Sequence, residues 1–431
     1  PIATLFADPF KPFFGAESVL SGRALIRSDG GLDLTGIKLS GGQLALNADA
    51  STTPDGFLRQ LALTAQIASA DGSKVLLPVP GAQTQVGSAD LKIDFGDAGS
   101  EDWSAVLNVA GFQGKSFATD QLTFKASGVA ANLDQPDARR VTFNGDGTAS
   151  GITAGSPDVQ AALGDTIGFG IAGLWNAGQP VRLAQLRIEG KSLDLALSGT
   201  IDDWVYNGDV AIRTANIAPF SDMAGRDLTG ALDLTASGTI SPLIGGFNLN
   251  LDGTGTNLTI GDETADRLLA GEVRLTGRVA RTEQGLETQD FRLGNQQVEL
   301  TANGNFATGA ADFRFDLGLA DLALLSPDAS GALKVTGTAK GQDNNIALNL
   351  DANVAQGTLS GRSLQNGTVG FAGTLQEGKL AGAVTGNAFL DGYRIDLAAD
   401  LSADGDTRKL GNLDFNAGGT RLTGNLSQDK A

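Results

Sequence analysis

Apolar and polar residues alternate along most of this chain, in segments that glycine residues separate. Between residues 230 and 240, for example, the apolar residues Leu232 and Leu234 occupy every second position and the polar residue Asp233 lies between them. Side chains of a β-strand point to opposite faces in turn, so each such segment is predicted to have one apolar and one polar face. The same pattern recurs in residues 271–279, 298–306 and 331–337.

Turn signals separate these segments. The chain contains 60 glycine residues, and many follow Asp or Asn, as in Asp29-Gly30 and Asp391-Gly392. Such pairs supply the positive φ angles of tight hairpins, which indicates antiparallel strands joined by short turns. Open sheets of more than about ten strands curl or split. We therefore predict an all-β fold: an elongated, curled antiparallel sheet, in the form of a β-taco or groove-like solenoid, with an apolar interior and a few short helices.

Three interruptions of the alternation predict where modules begin. Residues 217–225 and 322–328 each contain a proline and precede a new alternating strand, and residues 2–22 form a looser copy of that arrangement. Each is expected to form a short helix or crossover. The predicted modules, within one continuous elongated structure, are residues 1–215, 216–320 and 321–431.

Small residues occupy many inward positions of the predicted strands, among them Ala236, Gly238, Gly277 and Gly337. In a curled sheet such a lining leaves an apolar groove for acyl chains, which gain about 0.8 kcal/mol per buried methylene. Small residues could equally face small residues, so that two walls close on each other, and the sequence leaves both interpretations open. The candidates for a lipid groove are the larger inward residues Leu195, Leu197, Leu232, Leu234, Leu249, Leu251, Val273, Leu275, Val298, Leu300, Phe313, Phe315, Leu317, Leu333, Val335, Leu348 and Leu350.

Composition and charge narrow the possible functions. The formal net charge of -18 at pH 7 repels nucleic-acid phosphates and anionic bilayers, so nucleic acid is not expected as a partner. The chain has no Cys and no His, which removes thiol nucleophiles, thiolate metal sites, the commonest zinc ligand and the usual general base. We predict that the chain is not an enzyme and has neither a cofactor nor a metal site.

The chain also lacks the signals of a membrane span. No apolar run approaches the roughly 18 to 20 residues that a span requires, and the first residue is Pro1. These features predict a segment of a longer protein, with any signal peptide or membrane anchor outside the sequence.

Two kinds of motif are interpreted as ordinary structure. Residues 168–173 contain three glycines at the spacing of a dinucleotide fingerprint, but β-type residues surround them, so a strand is predicted. Acidic clusters at Asp146, Asp203 and Asp404 lack the twelve-residue calcium loop, so turns are predicted.

Aromatic residues are predicted to pack at the ends of the sheet. Phe6, Phe10, Phe13 and Phe14 are interrupted by two prolines, which prevents a regular amphipathic helix. They are expected to cover one end of the sheet or to continue the longer chain. Rim packing is also predicted for Trp103, Trp175 and Trp204.

Residues 257–277, with Asn257, Gly261, Asp266 and Leu275 at their characteristic positions, resemble the repeat region of the TamB family, in the AsmA-like superfamily. The similarity continues over most of residues 190–431 and is looser before them. It rests on a long pattern of Gly, Leu and Asp, without a catalytic motif.

The resemblance implies a protein anchored in the inner membrane of Gram-negative cells, whose β-taco spans the periplasm and works with the outer-membrane barrel partner TamA. Such proteins are implicated in moving phospholipid to the outer membrane and in assembling outer-membrane proteins such as autotransporters. For this chain the resemblance implies a periplasmic segment without the anchor. The implied partners are phospholipid acyl chains, a TamA-type barrel reached through the parent protein, and outer-membrane protein clients; direct contact of this segment with the barrel is not expected.

Three functions from different classes follow. The first is a periplasmic lipid conduit that moves phospholipid between inner and outer membranes through a hydrophobic groove. The second is a scaffold or chaperone that assembles outer-membrane proteins by β-strand pairing. The third, a β-solenoid carbohydrate enzyme, requires paired carboxylates on one exposed strand face, and the sequence assigns no such pair.

Overall fold

The structure is a computed structural model that describes residues 4, 7–79, 84–96, 99–405 and 407–428. The chain divides into two compact units, Pro1–Pro219 and Phe220–Ala431. We call them the first and the second unit.

The first unit consists of strands β1 to β15 with two short α-helices. Single 3-10 turns also occur at Asp8–Phe10, Pro136–Ala138 and Ala218–Phe220. The helices are α1 (Lys11–Phe14) and α2 (Pro157–Leu163). The strands are β1 (Ser18–Ile26), β2 (Leu32–Gly41), β3 (Leu44–Thr52), β4 (Leu58–Ala68), β5 (Val75–Leu76), β6 (Gln85–Val86), β7 (Ser88–Phe95), β8 (Asp102–Gln113), β9 (Phe117–Ala131), β10 (Arg140–Ser150), β11 (Thr153–Ala154), β12 (Thr166–Asn176), β13 (Val181–Glu189), β14 (Leu193–Asp202) and β15 (Val205–Thr214).

Strands of the first unit pair in nearly the order of the sequence. The antiparallel ladder runs from β1 through β2, β3, β4, β7, β8, β9, β10, β12, β13 and β14 to β15. The short β5 and β6 pair with each other, and β6 also pairs with β8. The chain between β4 and β7 therefore forms a small hairpin beside the main ladder.

The second unit consists of strands β16 to β29, two short α-helices and a 3-10 turn at Leu322–Leu324. The helices are α3 (Ser221–Ala224) and α4 (Glu263–Leu268). The strands are β16 (Thr229–Ser241), β17 (Gly246–Thr259), β18 (Glu272–Thr282), β19 (Gly285–Gly294), β20 (Val298–Ala307), β21 (Ala310–Leu319), β22 (Ala329–Ser330), β23 (Leu333–Gln342), β24 (Asn345–Leu359), β25 (Arg362–Gln376), β26 (Lys379–Leu390), β27 (Tyr393–Asp404), β28 (Thr407–Ala417) and β29 (Thr420–Gln428).

Every strand of the second unit except β22 takes its place in one antiparallel ladder in sequence order. The two ends of the strands differ. At one end, which we call the hairpin end, short turns join β16 to β17, β18 to β19 and β20 to β21. At the other, the insert end, longer connections carry α4 and the turn Leu322–Leu324. Helix α4 begins at the N-cap Asp262, whose carboxylate accepts the N–H groups of Thr264 and Ala265.

The predicted fold class is confirmed: the protein is all-β and antiparallel, with a few short helices. The interruptions at 217–225 and 322–328 contain the expected short helical turns, and residues 168–173 lie in β12, as predicted. Helices α2 and α4 and the β5–β6 hairpin were not predicted. The finer division of residues 216–431 at residue 320 stays a prediction, and β21 and β23 pair directly across that position.

Candidate functional site

A continuous apolar face crosses the second unit from strand to strand. Directly opposed residues of an antiparallel pair lie on the same face of the sheet. Leu232 opposes Gly255, and Gly255 opposes Val273 on the next strand. The same relation links Leu300 to Leu317 and extends through the remaining strands to β29. We call this surface the apolar face of the second unit.

All candidate residues from Leu232 to Leu350 lie on this face. The register therefore brings together side chains that are up to about 120 positions apart in the sequence. The other two candidates, Leu195 and Leu197, are in the first unit, where they oppose Ile212 and Val210 on a corresponding apolar face.

The apolar face is only partly covered. Val273 and Val298 are buried, at 1% and 6% exposure, so these two candidates contact protein rather than solvent. Both lie at the insert end, beside the connections that carry α4 and the turn Leu322–Leu324. The other candidates of the second unit are half-buried, and Leu350 is exposed at 36%.

Glycines on the apolar face lie beneath large neighbouring side chains. A Cβ added to Gly337 would approach the Phe315 ring to 2.2 Å, and one added to Gly147 in the first unit would approach the Phe169 ring to 2.3 Å. The small inward residues are thus places where rings lie against the backbone. Of the two interpretations that the sequence left open, empty space does not apply at these two positions, where rings fill the space above the glycines.

Charge is distributed unequally between the two faces of the second unit. Among the described strand residues that the register places on its apolar face, only Arg281, Arg362 and Arg408 are charged, and none of them is acidic. Carboxylates such as Asp252 and Glu287 lie on the opposite face, where they pair with arginines. A hydrocarbon ligand on the apolar face would therefore meet no carboxylate.

In the first unit, the apolar face is covered at both ends of the strands. At one end, Phe13 of α1 packs with Val75, Val86 and Val109 from β5, β6 and β8. The prediction that the N-terminal phenylalanines cover one end of the sheet is confirmed for Phe13, whereas Phe6 lies outside the described residues.

At the opposite end, side chains from distant strands converge. Phe95, Ala130 and Leu133 form a buried cluster with partly buried apolar residues of β4, β8 and β10 against it. In a flat sheet, β4 and β10 would lie about 19 Å apart, since strands are spaced by about 4.8 Å. The shared cluster requires a curled sheet. The concave side forms a cleft of about 950 Å³ whose lining includes Arg27, Arg59 and Glu101.

A buried arginine joins the loops at this end. The Arg139 guanidinium donates to both carboxylate oxygens of Asp55, at 2.6 and 2.5 Å, and its Nε donates to the Leu133 carbonyl at 2.8 Å. Its Cζ lies 4.5 Å from the centre of the Phe57 ring, which stacks on Trp175 at 6.1 Å. Hydrogen bonds from Arg139 and then Thr53 lower the pKa of the Asp55 carboxyl.

Repeated β-bulges interrupt the alternation in the same way. Asp290 has a φ of 50°, and its N–H donates to the Asn303 side-chain oxygen at 2.7 Å. The same bond, again spanning 13 residues, joins the N–H of Gly36 to Asp49 and that of Asn412 to Asn425. Each bulge shifts the register, so that Thr288 and Phe291 both stay on the apolar face. Sequence reasoning missed these bulges; their only signal is the repeated 13-residue spacing.

The remaining motifs have ordinary surroundings. The prediction of a turn is wrong at Asp146, which lies in strand β10 and pairs with Arg187 at 3.1 Å. The indole of Trp103 donates to the Thr142 carbonyl at 3.0 Å, and Trp175 stacks as described, which agrees with rim packing. Trp204 differs from the prediction, because it is 72% exposed in the β14–β15 turn.

The described residues contain neither a metal-binding cluster nor a membrane-spanning helix. No group of three or more His, Cys, Asp or Glu side chains in that part of the chain could hold a metal ion. None of its helices is long and apolar enough to pass through a bilayer. Comparison of the chain with protein-family models, with curated proteins and with solved structures found no match.

Proposed function

We propose that the apolar faces bind the acyl chains of phospholipid and that the protein is a lipid conduit. On this proposal it is a periplasmic segment of an inner-membrane-anchored, TamB-like protein and passes phospholipid between the inner and outer membranes along a hydrophobic groove. The observation that carries the proposal is the continuous, half-exposed apolar face of the second unit, on which the register places no carboxylate.

The solvent-accessible surface area of the protein is larger than compact units would have, which supports the proposal that an apolar face is uncovered. The chain exposes 24996 Å². Two compact proteins of ~22 kDa each would together expose only about 19,000 Å². Apolar patches on soluble monomers rarely exceed about 600 Å² unless they bind something. A hydrocarbon ligand gains about 0.8 kcal/mol for each methylene that such a face removes from water.

The flat rings over glycine favour hydrocarbon over a large rigid ligand. Phe315 lies against Gly337 and Phe371 against Gly382, so aromatic rings form part of the lining of the face at these glycines. An acyl chain is flexible and has no polar group that needs a partner. It can therefore follow such a lining across several strands without leaving a buried polar atom unpaired.

Lipid extraction and a matched pair of variants test the proposal. Protein purified without detergent is extracted into organic solvent, and mass spectrometry identifies phospholipid. Leu350→Asp places a charge on the apolar face, at a position exposed enough to keep the carboxylate hydrated. Asn349→Asp makes the same change one residue earlier, on the exposed opposite face.

We expect L350D to lower the bound phospholipid at least fivefold and N349D to leave it unchanged. Urea unfolding of both variants checks that each is folded. Wild-type protein that carries no phospholipid, and also takes none up from vesicles, would contradict the proposal.

A second candidate function is strand pairing with outer-membrane protein clients. It is favoured by β1 and β29, which each pair with one neighbour among the described strands and are exposed along almost their whole length. An edge strand presents unpaired N–H and C=O groups to another chain. Photo-crosslinking separates the two functions: a probe at Leu348 captures lipid if the conduit proposal holds, whereas a probe at Thr423 captures a client polypeptide if strand pairing is the function.

A further inference from the structure

Two of the three charged residues of the apolar face, Arg281 and Arg408, occupy the same kind of position. Arg281 is the last residue of β18 that lies on the apolar face before the turn to β19. Arg408 is the second residue of β28, directly after the turn from β27. Both therefore lie at the hairpin end. The third charged residue of the face, Arg362, opposes Leu359 beside the β24–β25 turn at the insert end, and the other described positions that the register places on this face are uncharged.

Apolar side chains surround Arg281. It opposes Phe247 on one neighbouring strand and Leu286 on the other, and Leu286 opposes Phe306. Leu286 and Phe306 are 54% and 55% exposed, although they lie side by side on the apolar face. The hairpin end thus leaves a cation beside apolar surface that no other described part of the protein covers.

Arg281 and Arg408 differ from the outward-facing arginines of β18 in their surroundings. Within the described ranges, the guanidinium groups of Arg281 and Arg408 have no hydrogen-bond or ion-pair partner. The outward-facing arginines of the same strand β18 differ: Arg274 pairs with Asp252, and Arg278 pairs with Glu287.

An amphipathic anion fits this arrangement. A guanidinium binds the oxygens of a phosphate or carboxylate with two parallel hydrogen bonds, and Leu286 and Phe306 offer apolar surface beside it. Because the face has no carboxylate, an anion placed there meets no like charge on it. The ligand must combine a negative headgroup with a hydrocarbon chain.

We propose that the hairpin end of the apolar face binds the headgroup of an anionic glycerophospholipid, with Arg281 as the main contact and Arg408 as a second position. The inference rests on the proposed lipid-conduit function and adds to it where the headgroup lies and which charge it carries. Acyl chains then extend from the hairpin end across the strands toward Leu300 and Leu317.

Binding of two labelled lipids with identical acyl chains tests the inference. Phosphatidylglycerol carries a net negative charge, whereas phosphatidylcholine has the same phosphodiester but no net charge. The variant is Arg281→Gln, and the matched control is Arg292→Gln, an exposed arginine of β19 on the opposite face. Urea unfolding of each variant provides the control for folding.

We expect R281Q to weaken phosphatidylglycerol binding about fivefold, as the loss of one exposed charge contact predicts, and R292Q to change neither affinity. Binding of phosphatidylcholine should change less than twofold in R281Q. The double variant R281Q/R408Q should bind both lipids with equal affinity. Inorganic phosphate at millimolar concentration should compete weakly, because it lacks the hydrocarbon chain.

Three results would overturn the inference. One is an equal loss of both lipids in R281Q, which indicates that Arg281 contributes packing rather than charge. Another is an unchanged preference in R281Q/R408Q while L350D still abolishes binding; the proposed conduit then stands and the headgroup site fails. The third is full competition by inorganic phosphate, which indicates a site for the free anion. Failure of wild-type protein to bind either lipid contradicts the conduit itself.

Discussion

Arg139 and Asp55 are 84 residues apart in the sequence and form a hydrogen-bonded ion pair across the concave side of the first unit. The pair joins the β3–β4 turn to the loop before β10, which other strands separate in the ladder. Its side chains differ in burial, with Arg139 at 9% and Asp55 at 43% exposure. The pair therefore links two distant loops of the curled sheet, with the carboxylate accessible to solvent and the guanidinium buried.

Removing the guanidinium should loosen this end of the first unit. Arg139→Met removes the guanidinium donors to the Leu133 carbonyl and to the Asp55 carboxylate. The carboxylate then keeps the Thr53 hydroxyl as its donor, and we expect the free energy of unfolding to fall by about 1–3 kcal/mol. The control is Arg59→Met, since Arg59 is exposed and lies 4.0 Å from Asp134. That change should cost less than about 0.5 kcal/mol. Urea titration measures both, and equal effects would show that the Arg139 contacts add nothing to stability.

Lowering the pH should weaken the Arg139–Asp55 pair only in the acidic range where Asp55 becomes protonated. Hydrogen bonds from Arg139 and Thr53 lower the pKa of Asp55 in the folded state below its ordinary value of 3.8. The stabilisation is therefore complete above the unfolded-state pKa and is lost as the pH falls through the lower folded-state pKa. When the pH is lowered below about 4, we expect the urea concentration at the midpoint of unfolding to decrease in wild-type protein. The decrease should be smaller in Asp55→Asn. Other carboxyls with lowered pKa values, such as Asp396 beside Arg394, contribute to the fall in both proteins.

The β-bulge at Asp290 should depend on Asn303. Asn303→Ala removes the acceptor of the Asp290 N–H, and we expect it to lower the free energy of unfolding by about 0.5–1.5 kcal/mol. Asn305→Ala is the matched control, because Asn305 lies two residues further along β20 on the same face and is exposed. Chemical denaturation of the two variants compares them directly. A cost as large for N305A as for N303A would refute a specific role of the bulge bond.

Filling a glycine beneath a ring should disturb the apolar face. In Gly337→Ala the new Cβ would lie 2.2 Å from Phe315 Cε1, so the ring must move. We expect a loss of about 1–3 kcal/mol in the free energy of unfolding and weaker lipid binding, since the displaced ring enters the space above the face. Gly424→Ala meets no atom within 4 Å and should be neutral or slightly stabilising. Similar stability of the two variants would show that the ring relocates without strain.

Sequence periodicity predicted the strands and the shared face because both depend on local alternation. Leu232, Leu275 and Leu333 lie on one face because each strand follows the same two-residue period and hairpin turns set the register. Periodicity could not predict which of these residues are covered. Val273 is buried at the insert end, where the longer connections lie, and the alternation within its strand does not encode where those connections pack.

Features that depend on contacts between distant residues could not be predicted from the sequence either. The bulge at Asp290 reverses the alternation within β19, so simple counting places residues after it on the wrong face. The position of the Phe315 ring over Gly337 depends on the register between two strands, so the sequence left open whether the space above this glycine is empty or filled. The pair Arg139–Asp55 depends on the curl of the sheet, which no local pattern encodes.

Pairing of each strand with its neighbour in the sequence gives the second unit an adjustable length. Contacts between sequence neighbours close short loops, so they form at little entropic cost and do not depend on distant parts of the chain. The energetics then approach a sum of nearest-neighbour terms, as in repeat proteins. Insertion or loss of one hairpin would change the reach of the unit by about 10 Å and leave the other hairpins intact. Evolution could thus match such a protein to a gap of different width one hairpin at a time.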